Sequence, residues 1–284
     1  MNPTGARNPR RVIPGAGTRP GIRSWIGAGS WTRSPRTATG VALLACGLQV
    51  GVAALGDSAA VVGLGPATAL PPWDLDRTPS SALVTALLAL ATVLGVLAVG
   101  LGLRAVRAGA VLSPRVVAAA GTAVVALMVL VPPLGSADHL SYAAYGRIVV
   151  SGDDPYTVAP GAWRDGRDPV AGAVQPPWRE EPSVYGPVAT AVQAGAAALG
   201  AGSLRRTVWV WQLLVGLCFL LVAWLLDRLV RSAVVPEGAT GDPGDAGHHT
   251  VPAADPVGPA RSRVAVLWTL NPLLVGQLVL GAHL

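Results

Sequence analysis

Long runs without a single charge alternate along this chain with short stretches where arginines or acids collect. A helix needs about 20 apolar residues to cross the roughly 30 Å hydrocarbon core of a bilayer. Thr37–Gly56, Ser81–Leu103, Val116–Leu134, Thr207–Leu226 and Val264–Leu284 each meet that length, and Val184–Ser203 meets it with a weaker, Ala- and Gly-rich pattern. The pattern therefore predicts an all-α, multi-pass transmembrane helical bundle. Its expected organisation is a disordered Arg-rich cytoplasmic tail at 1–36, three spans in 37–134, an external loop at 135–183, two spans in 184–226, a flexible linker at 227–263 and a sixth span at 264–284.

The charges between the runs set the expected orientation. Seven arginines and no acid precede residue 37, and the 104–115 and 204–206 linkers also carry arginines only, so these segments are expected in the cytoplasm. The 57–80 linker, with three acids and one arginine, and the 135–183 loop, with seven acids and four arginines, are expected outside. Counting places the 227–263 linker outside as well, although its arginines stand near both ends. Its centre, PEGATGDPGDAGHHTVPAADPVGPA, reads as a solvated insertion, with His248 and His249 as loop residues before metal ligands. The first apolar run begins too far from the start for a signal peptide, so the first helix is expected to be retained.

Composition supports a membrane protein: 51% of residues are hydrophobic and 13% charged, against about 25% charged in soluble domains. All 21 basic residues are arginine. The net charge of +6 does not point to nucleic acid, because the arginines gather in the tail and beside apolar runs. Cys46 and Cys218 lie within apolar runs and read as small buried hydrophobes.

The polar chemistry concentrates in ADHLSYAAYGRIVVSGDDPY, residues 137–156. Ser136 is placed to cap a helix on which Asp138, Ser141, Tyr142 and Tyr145 share one face. That helix is expected to lie amphipathically at the external interface, where a lipid-linked substrate presents its head group. Arg147 falls about half a turn away and must face another partner, a lipid phosphate or a different loop. Asp138 taken alone is better explained by the preference of first-turn acids for the helix dipole, and its polar neighbourhood turns the reading toward function. Gly152 to Tyr156 reads as a tight turn. Trp163 and Trp178 suit either sugar stacking or interfacial anchoring. Arg164, Arg167 and Arg179 suit either a phosphate or ion pairs with the neighbouring acids.

Four segments in order carry a family resemblance: DHLSYAAYG at 138–146, SGDDPY at 151–156, SVYGP at 183–187 and LNPLLVGQLVLGAH at 270–283. Over residues 116–284 the chain resembles the N-terminal half of the polyprenol-phosphomannose-dependent α-(1→6)-mannosyltransferases of actinobacteria, membrane glycosyltransferases of the GT-C fold. The resemblance implies a polyprenyl phosphate mannose donor, a lipid-anchored mannan acceptor of the lipomannan type, and transfer at the outer face of the plasma membrane; no cofactor and no metal-ligand residues are assigned, and metal dependence is left open. It assigns Asp138 as the general base. His139, Tyr142, Tyr145, Arg147, Tyr156, Arg164, Arg179 and Tyr185 are the expected substrate-binding residues. Members of the family continue with further membrane helices past the Gly-Ala-His stretch, so the chain is expected to be a fragment. A carrier or flippase for a lipid-linked sugar and an inactive remnant of the transferase are the alternatives. The scarcity of polar residues inside the spans (Gln49, Gln193, Gln212, Asn271 and Gln277 are the strongest) counts against the carrier.

Overall fold

A computed structural model describes residues 34–66, 68–233 and 257–283. The arginine-rich tail, most of the 227–263 linker with His248 and His249, and Leu284 lie outside the described residues. What is described is helical, with one isolated bridge between Ser58 and Val61 in place of any sheet.

Pro35–Leu55 forms α1, Ser81–Arg107 forms α2, Pro114–Met128 forms α3 and Asp138–Val150 forms α4. Pro187–Gly200 is α5, Leu204–Ala233 is α6, and α7 (Val257–Val264) and α8 (Pro272–Val275) belong to a last, broken helical run ending at Leu280. Four of these segments, α1, α2, α6 and Val257–Leu280, are long and apolar enough to cross a membrane. Their starts follow local rules. Pro35, Pro114, Pro187 and Pro272 stand in first turns, where no N–H is required. Ser80 accepts from the Leu83 N–H to cap α2.

α1 and α2 pack as an antiparallel pair. The buried stripe of α2, Ala91, Gly95, Ala98, Gly102 and Ala105, recurs every three or four residues and consists of small side chains. Such a stripe lets backbones approach closely, which is what drives helix association where lipid offers no hydrophobic contrast. The opposite faces stay apolar and open: Leu83, Leu90, Val93, Val96 and Leu97 of α2, and Leu217, Leu221 and Leu229 of α6. In water these faces would be costly; in hydrocarbon they are the solvated side. Cys218 lies on that outer face of α6, contrary to its expected burial, while Cys46 is buried as expected.

The last run is interrupted inside the bundle. A π-helical turn at Ala265–Thr269 leads to Asn271, whose side chain accepts from the N–H groups of Leu273 and Leu274 and restarts the helix. The Pro272 carbonyl, which also accepts from the Gly276 N–H, takes a second hydrogen bond from the Gln49 amide of α1. Gln212 of α6 likewise donates to the Val131 carbonyl. Thus Asn271 and Gln212, polar residues noted within the apolar runs, serve irregular backbone, as backbone at membrane depth requires.

The structure departs from the six-span expectation at α3, whose 15 residues are fewer than a span needs, and at α5. α5 has 14 residues, about 21 Å, short of the hydrocarbon core. Its far end turns at Ala201 and Gly202, and the next arginine, Arg205, donates to the carbonyls of Gly65 and Pro72 and pairs with Asp74 at 3.1 Å. The α5–α6 turn therefore lies at the same end of the bundle as the 57–80 linker and the 135–183 loop, not at the opposite one. The linker that follows α6 starts and ends at the other end: Asp227 of α6 pairs with Arg261 of α7, and Ser262 accepts from the N–H of Leu112, between α2 and α3.

α5 packs tightly on α4 along one face. Gly146 of α4 sits so close to the Gln193 carbonyl of α5 that no Cβ fits. Ala196 and Ala197 are buried, while Val188, Val192 and Leu199 stay exposed.

Candidate functional site

α4 begins where the chain leaves α3, at Asp138, whose N–H donates to the Ser136 hydroxyl. It was expected to lie at an interface with one polar face. Instead it is enclosed nearly all round, because α5, α6 and the loop beyond it cover its sides. Leu140, Ala143, Ala144 and Ile148 pack with Trp163, Val170, Val174 and Val208 in a core built by the loop itself.

The predicted face of α4 points into the protein. The Ser141 hydroxyl donates to the Asp138 carbonyl, and Tyr145 donates to the Glu181 carbonyl at 3.0 Å. Tyr142 sits edge-on to Tyr185, with ring centroids 5.3 Å apart, and 5.1 Å from Trp211 of α6. Tyr185 also flanks Tyr145. Burial raises the phenol pKa of Tyr142, with the Tyr185 hydroxyl adding to the effect, and raises that of Tyr145 to about 12. Both hydroxyls remain protonated donors at neutral pH.

Asp138, at the open end of this aromatic wall, keeps 32% of its side chain exposed. One oxygen lies 3.7 Å from Nδ1 of His283. That imidazole is carried by a turn in which Ala282 adopts φ 57°, a left-handed conformation costing a non-glycine residue about 1–2 kcal/mol. The Trp211 indole N–H donates to the Ala282 carbonyl at 2.9 Å, buried. Neither Trp211 nor the Ala282 carbonyl was foreseen. The Trp209–Trp211 pair was hidden within a strong apolar run, and a carbonyl has no sequence signal.

The other expected binding residues go elsewhere. His139 is 1% exposed and neither ring nitrogen makes a hydrogen bond of good geometry. Burial pushes its pKa down to about 4, against smaller upward pulls from the Ser136 backbone and the Asp138 carboxylate. Arg147 takes the loop partner: its Nε donates to Asp168, which also accepts from the N–H groups of Val170 and Ala171. Arg179 donates to the Gly172 and Val174 carbonyls. Arg164 is exposed and lies over the Trp163 ring, while Arg167 pairs with Asp165 on the surface. Tyr156 is exposed, its hydroxyl bonded to Thr190 of α5. Trp163 is buried and donates to Asp153, so it is a core residue and offers no face for a sugar. Trp178 is half-buried against the same core. The structure thus gathers Asp138, Tyr142, Tyr145 and Tyr185, and uses Arg147 and Arg179 to fasten the loop behind them.

A carboxylate at an accessible edge, flanked by phenols and an indole, can accept a proton from a hydroxyl and offer ring faces and edges to a sugar. This arrangement can be set beside known proteins. The family model described as alpha-(1->6)-mannopyranosyltransferase, N-terminal domain, matches residues 36–240, which is more than half of the chain and includes Asp138 and the whole loop. A probable alpha-(1->6)-mannopyranosyltransferase of Mycolicibacterium smegmatis is 32% identical over 159 residues, 55% of this chain and 24% of that protein. An alpha-(1->6)-mannopyranosyltransferase of Mycobacterium tuberculosis is 28% identical over 158 residues, 55% of this chain and 22% of that protein. Alpha-(1->6)-mannopyranosyltransferase B of Corynebacterium glutamicum is 27% identical over 159 residues, 56% and 22% of the two chains. The chain thus matches less than a quarter of the length of these curated relatives. No solved structure matches it. The chain belongs to the alpha-(1->6)-mannopyranosyltransferase family through this N-terminal domain.

Proposed function

From this membership we propose that the domain serves an inverting mannosyl transfer from polyprenyl phosphate mannose to a lipid-anchored α-(1→6)-mannan, on the outer face of the plasma membrane. Asp138 is the general base. The acceptor's primary hydroxyl gives its proton to the carboxylate as its oxygen attacks the anomeric carbon. The bond from that carbon to the phosphate oxygen breaks in line, and polyprenyl phosphate departs with the electron pair. A β-linked donor then gives an α product.

The observation that carries this proposal is the placement of Asp138: a partly exposed carboxylate at the mouth of an otherwise buried helix, beside the Tyr142–Tyr185–Trp211 wall. A base must come within about 2.6–3.2 Å of the proton it takes, and such proton transfer contributes typically 10²–10⁴-fold. Asp138 is open to such an approach because its close ionisable neighbour among the described residues, His283, stands off at 3.7 Å. Tyr142 and Tyr185 frame the sugar side of the site. The arginine-rich end of the bundle faces the cytoplasm, which leaves Asp138 outside.

The test is mannosyl transfer in membranes containing this protein, supplied with polyprenyl phosphate [¹⁴C]mannose and a lipid-anchored mannan. Asp138→Asn, nearly isosteric, is expected to lower transfer at least 100-fold with the protein level unchanged. Undiminished transfer by the variant removes the base assignment, and an impermeant label reaching position 138 only from the cytosol removes the proposed side.

A further inference from the structure

At the opposite end of the bundle from Asp138, a cavity of about 260 Å³ opens between α3, α6 and α7. Its walls are apolar, from Val117 and Ala118 of α3, Leu220 and Ala223 of α6 and Val264 and Ala265 of the last run. Its mouth is charged. Asp227 accepts from Nε and Nη2 of Arg261, at 2.6 and 3.2 Å, and from Arg231 at 2.8 Å. Arg228 lies over the ring of Trp224, which itself lines the cavity.

Two arginines therefore share one carboxylate at this mouth, and with Arg228 beside them the excess is two positive charges. Across this whole end of the bundle, Asp227 is the one acid among the described residues, against eight arginines. The carboxylate acts here as a fixture: it holds two guanidinium groups in place without neutralising them. Guanidinium groups so held match phosphate oxygens in a two-point fork. An apolar slot under a cationic rim at the lipid boundary fits a ligand with an anionic head and a hydrocarbon tail, and basic pockets between membrane helices hold such lipids.

We propose that this cavity binds an anionic glycerophospholipid of the surrounding leaflet, one acyl chain between α3 and α6 and the phosphate on Arg261, Arg231 and Arg228. The site is separate from the Asp138 centre and does not depend on the transfer reaction. A free phosphate would leave the apolar walls unused, and a neutral lipid would leave the excess positive charge uncompensated.

The probe is phosphatidylglycerol carrying a diazirine on one acyl chain, with the protein reconstituted in phosphatidylcholine nanodiscs and the crosslinks mapped by mass spectrometry. Label is expected on the cavity walls, at Leu220, Ala223 or Val117. An excess of unlabelled phosphatidylglycerol should compete it away at least fivefold, and phosphatidylcholine should not. Arg261→Gln is expected to cut the label severalfold. Because that change also touches Asp227, Ala223→Phe, which fills the slot and leaves every charge in place, provides an independent arm and should abolish it. Equal labelling by a phosphatidylcholine probe, persistence of label in Ala223→Phe, a cavity closed to label by another part of the protein, or competition by a prenyl phosphate in preference to phosphatidylglycerol would each overturn the assignment.

Discussion

Trp211 holds the carbonyl of Ala282 through its indole N–H, one residue before the imidazole that faces Asp138. The same indole packs against Tyr142. One side chain of α6 thus fixes both the aromatic wall and the turn carrying His283.

Trp211→Phe keeps a ring in place but leaves the Ala282 carbonyl buried without its donor, an omission costing about 1–3 kcal/mol. The left-handed turn then has less to hold it. We expect the turnover rate in the mannosyl-transfer assay to fall about tenfold with little change in KM, and His283→Gln to fall by a similar factor. A rise in KM alone for Trp211→Phe would show that the indole contacts substrate directly and does not act through the turn.

His139 makes stability depend on pH. Its pKa in the folded protein is about 4, below the ordinary 6.5, because burial disfavours the charged form. Between those values the unfolded chain binds a proton that the folded one refuses. Stability is therefore full above about 6.5 and declines as pH falls toward 4, by up to about 3 kcal/mol. The apparent melting temperature in detergent should drop from pH 7.5 to pH 5, and His139→Leu should flatten that drop. An identical pH dependence in the variant would mean that the imidazole is not the group responsible.

Gly146→Ala tests the α4–α5 contact. A methyl group there collides with the Gln193 carbonyl, and the backbone on both sides has to move. Overpacking of this kind costs about 1–3 kcal/mol or more. The variant should lose protease resistance in the 151–183 loop before the α1–α2 pair is affected, as limited proteolysis with peptide mapping would reveal.

Two neighbouring arginines should behave oppositely. Arg205 is buried, 5% exposed at its side chain, and tied to Gly65, Pro72 and Asp74. Breaking a buried pair on one side costs about 3–5 kcal/mol. Arg205→Gln is expected to abolish a cooperative melt near physiological temperature, while Arg206→Gln stays within about 0.5 kcal/mol of the parent. Equal effects would show that the pair acts only as flanking charge.

Hydropathy made α1, α2 and α6 legible, since their open faces are apolar along a bilayer's thickness. The start of α4 was nearly legible too: the N-cap is Ala137, one residue past the expected Ser136, whose hydroxyl accepts from the Asp138 N–H just inside the helix. α5 was not, because an Ala- and Gly-rich run looks the same whether lipid or another helix covers it. The Arg205–Arg206 doublet looked like a cytoplasmic flank, and only the fold brings Asp74 to it across 131 positions. For the site, Asp138 and the tyrosines could be placed by helical spacing. Arg147, Arg164 and Arg179 could not be assigned, because a guanidinium suits a phosphate, a carboxylate or a carbonyl equally well. Asp168 and the loop carbonyls that claim two of them become neighbours only once the loop has folded.

The return of α5 to the end it started from changes the parity of the chain. Pro35, beside Val106 and Leu112, and His283, beside Asp138, stand at opposite extremities of the described residues, so whatever is joined to one of them is separated from the other by the full thickness of the fold.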